Sequence, residues 1–252
     1  MNTIAITNNK GGVGKTTTTL NLGAALVQLG YRVLLIDMDS QANLSSCFGL
    51  YTHTAQNVAS FMLKEWEFGQ VVVAKNGMDI LPASTNQYEA EMKLSMKPNR
   101  ESILKKRLEG ITELYDYILI DCPPSLDLMT KNAIFAADFF IVPIEPTTFS
   151  YQGLGNLIEN VNDFNDDGAS IRLMGILIIK YHPNMRNALK HNIVDKLRSQ
   201  LQANVFDTYI RMDSSLDKAQ LDHASIFGYD PTANAATDYL SATKEILNKI
   251  KI

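Results

Sequence analysis

Lys10-Gly11-Gly12-Val13-Gly14-Lys15-Thr16-Thr17 stands between two segments of opposite habit. Ahead of it, Thr3-Ile4-Ala5-Ile6-Thr7 is short and β-branched, the composition of a buried strand. Behind it, Thr18 to Leu26 opens an amphipathic helix that ends near Gly30. Strand, glycine loop, lysine-threonine and helix are the context of a phosphate-binding loop. Glycines let the backbone wrap closely enough for successive N–H groups to face phosphate oxygens, and the helix N-terminus adds partial positive charge. Lys15 would then reach the β- and γ-phosphates, and the Thr16 hydroxyl would sit on Mg²⁺. The pattern G-x-x-x-x-G-K-[ST] asks for glycine five residues before Gly14, where this chain has Asn9, and a second lysine, Lys10, precedes the double glycine.

With that second lysine, K-G-G-V-G-K-T-T resembles the deviant phosphate loop of the ParA/MinD ATPases. The resemblance implies that Lys10 crosses a dimer interface to the partner's nucleotide, and that residues 10 to 17 all contact the nucleotide.

Two apolar runs end in carboxylates. Arg32-Val33-Leu34-Leu35-Ile36 reads as a central parallel strand and leads into Asp37-Met38-Asp39-Ser40-Gln41. Strand alternation sends Asp37 and Asp39 to the same side, at the strand end where open α/β sheets bind ligands. Carboxylates there can hold Mg²⁺ or orient an attacking water. Tyr117-Ile118-Leu119-Ile120-Asp121 repeats the form, with Asp121 reaching Mg²⁺ through water. The D-x-D-x-Q stretch and Asp121-Cys122-Pro123-Pro124-Ser125 are both similar to ParA segments. That likeness implies a catalytic trio of Lys10, Lys15 and the water-positioning Asp39, with Asp37 supporting metal and loop. It also implies that the 121–125 loop senses the γ-phosphate and passes its state to a helix from Leu126 to Ala136.

Composition bounds the alternatives. The 252 residues carry a net charge of −4, so attraction to nucleic acid must come from a local patch. No apolar run approaches a membrane span, and the chain opens on a strand instead of a signal peptide. Cys47 and Cys122 are too few for a disulfide framework and suit a reducing cytosol. Nitrogenase iron proteins share this fold and bridge a cluster with cysteines, but two buried structural thiols are the expectation here.

The middle of the chain is less distinctive. Helices are expected over residues 56–66 and 87–94, a strand over 78–81, and an exposed basic helical stretch over 97–108. A buried strand over 139–144 is followed by a loop from Pro146 to Tyr151 and a helix over 153–165. Ile171 to Ile179 is another central strand, and Arg186 to Gln202 a helix with an apolar face of Leu189, Ile193, Leu197 and Leu201. From Lys180 to Arg211 six Lys or Arg oppose two acids. On residues alone, a solvated basic helix or a phosphate-binding surface fits this stretch. The resemblance favours DNA, with Lys190, Lys196, Arg198 and Arg211 as contacts. Lys180 has two readings, over an adenine base or on DNA. The ending, Lys244 to Ile252, is expected as a docked last helix and not as the membrane-seeking tail of a MinD-like protein.

Together these expectations describe one α/β domain over residues 1–252, a P-loop NTPase fold with a mostly parallel twisted sheet and helices on both faces. No helix-turn-helix domain is expected ahead of it. The resemblance implies a partition ATPase of plasmid or chromosome, cytoplasmic and nucleoid-associated, that uses ATP and Mg²⁺ (Thr16, Asp37, Asp121). It would form an ATP-dependent homodimer, bind double-stranded DNA nonspecifically, and answer to a ParB-like partner, without stable membrane association. The alternatives are a MinD-like membrane positioner and an ATP-switched scaffold for another cargo.

Overall fold

The computed structural model describes residues 1–251, apart from the side chains of residues 149, 151 and 152. Its strands are β1 Asn2–Ile6, β2 Val33–Asp37, β3 Val73–Lys75, β4 Met78–Leu81, β5 Tyr117–Asp121, β6 Phe139–Ile144, β7 Arg172–Ile179 and β8 Val205–Ile210. The helices are α1 Lys15–Gln28, α2 Asn43–Cys47, α3 Val58–Met62, α4 Phe68–Val71, α5 Tyr88–Ser95 and α6 Ile103–Leu108. They continue with α7 Leu128–Ala136, α8 Thr148–Asp166, α9 Ala188–Leu201, α10 Ser215–Leu221, α11 Ile226–Tyr229 and α12 Asn234–Ile250.

The strands join in one sheet, ordered β3-β4-β2-β5-β1-β6-β7-β8. Every pairing is parallel except the antiparallel β3–β4 edge. Strand alternation divides the core. Ile4, Ile6, Leu35 and Leu119 face the side covered by α1 and α12, where Leu22, Tyr239 and Ile246 lie buried. Ala5, Leu34, Ile36, Ile118 and Ile120 face the other side, covered by α3 and α6 to α9. A strand wetted on neither face reads as an unbroken apolar run, which is why β2 and β5 were recognisable.

Several element boundaries differ from expectation for local reasons. The helix expected over 56–66 is a single short one, Val58–Met62, and α4 begins only at Phe68. Asn57 caps α3 by accepting from the Ser60 amide at 3.1 Å, and the Lys64 and Glu65 amides close the far end on the Phe61 and Ser60 carbonyls. Of the basic stretch 97–108, only Ile103–Leu108 is α-helical, because Asn99 turns left-handed (φ 49°) and a 3₁₀ turn follows. Asp127 accepts from the Met129 and Thr130 amides and so starts α7 two residues later than expected. Thr147 caps α8, turning most of the expected 146–151 loop into helix. Asn187 does the same for α9, whose buried residues are Val194 and Leu197, while Leu189 is 58% exposed. The last helix, Asn234–Ile250, is docked as expected for the chain's ending: α12 buries Tyr239, Ala242 and Ile246.

Strand β8 ends the order on one side. Its pairing with β7 is irregular between Ile176 and Ile178, and the Glu245 carboxylate of α12 accepts from the Asp207 and Thr208 amides at 2.9 and 3.0 Å. Arg198 donates to the Asp207 carbonyl at 3.1 Å.

Candidate nucleotide site

The register that pairs Asp37 with Asp121, and Ile6 with Asp121, brings the carboxyl ends of β1, β2 and β5 to one level. The glycine loop rises from the first and the carboxylates terminate the other two. Gly12 and Gly14 take positive φ (72° and 70°), the left-handed backbone that glycine adopts without penalty. A Cβ on Gly11 or Gly12 would meet nothing within 4 Å, so the loop's inner face is open, whereas Gly14 sits against the Ile179 side chain. Helix α1 begins on Gly14 with no side-chain cap and no acid in its first turn. Its first amides and its dipole are therefore left for an anion.

The loop encloses a cleft of about 740 Å³, lined by Gly11, Gly12, Gly14, Lys15, Thr16, Thr17, Asp39 and Lys180. Lys15 is 7% exposed, and its Nζ donates to the carbonyls of Asn8 (3.1 Å) and Lys10 (3.2 Å). Burial lowers its pKa, opposed by Asp121 and Asp39. Two of the three ammonium protons are thus used inside the loop, leaving one for a ligand. Lys10 is exposed at the rim, with Nζ 3.5 Å from the Thr147 hydroxyl at the start of α8. Val13 is buried beneath the loop.

The Thr16 hydroxyl donates to Asp121 Oδ2 at 2.6 Å. Asp121 is buried, and burial, followed by the nearby Asp37, raises its pKa well above the usual carboxylate range. Asp37 is also fully buried and raised by burial. Its Oδ2 accepts from the Ser45 amide (2.8 Å) and hydroxyl (2.7 Å), and its Oδ1 from the Asp39 amide (3.2 Å). Asp37 therefore clasps the segment that carries Asp39. Asp39 is half-buried in the cleft wall, and its Oδ1 accepts from the Gln41 amide at 2.9 Å.

Among the described residues, no group of three or more His, Cys, Asp or Glu could hold a metal ion by itself. Mg²⁺ keeps several waters and combines one or two protein oxygens with substrate phosphates. The Thr16–Asp121 pair supplies such hard oxygens at the cleft floor, with Asp37 behind it. The cysteines supply none of this chemistry: burial pushes the Cys47 thiol up to about 12 and raises Cys122 as well.

Other residues at the cleft had no local signal. Gln220 of α10 donates to the Thr17 hydroxyl at 2.8 Å across 203 residues of sequence, and Asp217 and Leu221 line the same wall. Lys180 lines the cleft with left-handed φ (51°) and lies 3.4 Å from Glu145.

The four residues expected on DNA separate into two groups. Lys190 is 3.1 Å from Glu145 with its side chain 18% exposed, and Arg211 forms a forked pair with Asp238 at 2.7 Å. Lys196 and Arg198 lie exposed on α9. Arg198 lends one donor to β8, as described above.

A family model described as an AAA domain matches residues 1–173. The chain is 35% identical over 250 residues to the sporulation initiation inhibitor protein Soj of Bacillus subtilis, covering 96% of this chain and 97% of that one. It is 32% identical over 252 residues to the chromosome partitioning protein ParA of Caulobacter vibrioides, covering 98% and 94%. Among solved structures, the cobyrinic acid a,c-diamide synthase of Mycobacterium smegmatis with a bound ATP analogue and magnesium superposes with a TM-score of 0.86 at 29% identity. That match covers all of this chain and 96% of the other. Deviant glycine loop, paired strand-end carboxylates and full-length likeness agree, and the chain belongs to the ParA/MinD family of P-loop ATPases.

Proposed function

We propose that this chain is a ParA-type partition ATPase. It binds Mg·ATP, closes into a dimer with nucleotide sandwiched between subunits, and in that state binds duplex DNA without sequence preference. A ParB-like, centromere-binding partner stimulates its slow hydrolysis, and DNA is released afterwards. In the cell this reading corresponds to a cytoplasmic protein working on the nucleoid.

The observation that carries this reading is the contrast between the two loop lysines. Lys15 is buried and held by its own loop, while Lys10 stands exposed at the rim, where a second subunit's phosphates would meet it. The full-length likeness to proteins named for chromosome partitioning supports the cargo. The docked α12 speaks against a membrane-seeking tail, and among the described residues no helix is long and apolar enough to cross a membrane.

In this scheme the loop amides and Lys15 neutralise the β- and γ-phosphates. Thr16 and Asp121 would hold Mg²⁺, which when bound adds charge neutralisation between phosphate oxygens. Asp39 orients the attacking water, and Asp37, itself held by Ser45, fixes Asp39 through the Asp39 amide. Lys196 and Arg198 form the phosphate-facing part of the DNA surface, and Lys180 borders the base end of the nucleotide.

The test is binding to a random-sequence duplex at several salt concentrations, without nucleotide, with ADP and with ATP, using Asp39→Ala to prevent turnover. Salt-sensitive binding only with ATP is expected. Equal binding in all states, or binding to anionic vesicles in place of DNA, would overturn it.

A further inference from the structure

A second cleft, of about 430 Å³, lies away from the glycine loop, between the end of α3 and the segment leading into α6. Its walls are apolar: Leu63, Pro98 and Ile103, with Met62 buried beneath. An adjoining hollow shares Leu63 and Lys97 and adds Met96, which is 78% exposed, with Glu65 and Lys93 paired to each other at 3.1 Å.

Cations outnumber acids around this surface. Lys64, Lys97 and Lys106 are exposed at the rim, and among the described residues none of them makes an ion pair. Arg107 contributes a fourth charge, its guanidinium fixed by the Phe61 and Trp66 carbonyls and 3.6 Å from Glu67. Between residues 93 and 107 the chain carries six Lys or Arg and one acid, although the whole is acidic. Lys64 occupies the left-handed position (φ 63°) that closes α3, where glycine would cost less. A lysine there carries backbone strain and delivers its charge to the rim.

We propose that this cleft docks an acidic peptide segment of a protein partner, with apolar side chains against Leu63, Pro98 and Ile103 and carboxylates on Lys64, Lys97 and Lys106. Charge complementarity selects the acidic character, since three rim ammonium groups have no carboxylate of their own. The apolar walls distinguish a peptide from nucleic acid, whose phosphates have no use for them. Concavity distinguishes it from a membrane surface, which binds helices whose apolar face projects into lipid.

The experiment pans a display library of random peptides on the full-length protein, then measures an enriched, fluorescein-labelled peptide by polarisation. The expected peptides combine Asp or Glu with Leu, Ile, Phe or Met. Lys97→Glu/Lys106→Glu is expected to weaken their binding by about tenfold, and raised salt to weaken it further. A control with the same charge change, Lys244→Glu/Lys251→Glu at exposed positions on the opposite side of the sheet, should bind as the parent does. Unfolding midpoints are measured for each variant, and Lys97→Gln/Lys106→Gln, expected to weaken binding about threefold, replaces the reversal if that variant is destabilised. The proposal is overturned if no acidic–apolar family is enriched, or if the enriched peptides bind both cleft variants like the parent. It is equally overturned if these variants lose a random DNA duplex or phosphatidylserine vesicles but no peptide.

Discussion

Replacing Arg211 by alanine separates a structural role from a DNA-binding one. The Arg211 Nε donates to both Asp238 oxygens (3.1 and 2.9 Å), Nη2 donates to Oδ1 at 2.7 Å, and the Arg211 amide donates to Oδ2 at 2.9 Å. The side chains are 28% and 10% exposed. Truncation would leave the Asp238 carboxylate nearly buried with the amide as its remaining partner on Arg211. Stranding a fully buried charge costs about 3–5 kcal/mol, and partial exposure of the pair reduces this to about 2 kcal/mol. For a chain of this size that is a fall of about 4–8 °C in Tm. Arg211→Lys, which keeps charge but not the fork, should fall between. The assay is urea unfolding of Arg211→Ala, Asp238→Ala and the double variant, beside DNA binding against salt. A coupling near zero, with a salt slope lower by about one in Arg211→Ala, would refute the reasoning and make Arg211 a phosphate contact.

Lys15→Ala should abolish nucleotide binding, measured with a fluorescent ATP analogue; ordinary affinity would sink the loop assignment. Asp39→Ala should retain nucleotide binding and lose hydrolysis by about 10²–10³-fold, read as phosphate release. Gly175→Ala should destabilise by about 1–3 kcal/mol in urea, because its Cβ would meet the buried Phe206 ring at 2.8 Å and the Asn204 carbonyl at 3.3 Å. Arg32 beside Asp116 holds that carboxyl down at about 2. A depressed carboxyl stabilises above its ordinary pKa and loses that contribution as pH falls, so the difference in urea midpoint between the parent and Asp116→Asn should narrow from pH 3.8 toward pH 2.

Strands β1, β2, β4, β5, β6 and β7 and the loop were legible because their signals are local, whereas β8, with its mix of buried and exposed residues, was not read as a strand. A strand buried on both faces must be apolar throughout, and a phosphate loop must place its glycines and lysine at fixed spacing. Strand β3 was missed: Val73-Ala74-Lys75 is short, and its burial runs from half-buried to exposed. The basic stretch was legible as charge but not as surface. What removes Lys190 and Arg211 from open solvent is Glu145 and Asp238, 45 and 27 residues away. No helical periodicity reports a partner on another element. The same holds for Gln220, whose place against Thr17 depends on the packing of α10 over the loop.

The treatment of the β8 margin has a consequence for life at high concentration. An outermost strand offers unpaired amides and carbonyls on which a neighbouring molecule can add a strand and begin an aggregate. Here Glu245 occupies two successive amides, Arg198 takes the carbonyl between, and the irregular pairing breaks the straight template. A molecule so finished at its margin can be crowded against copies of itself without polymerising through that strand.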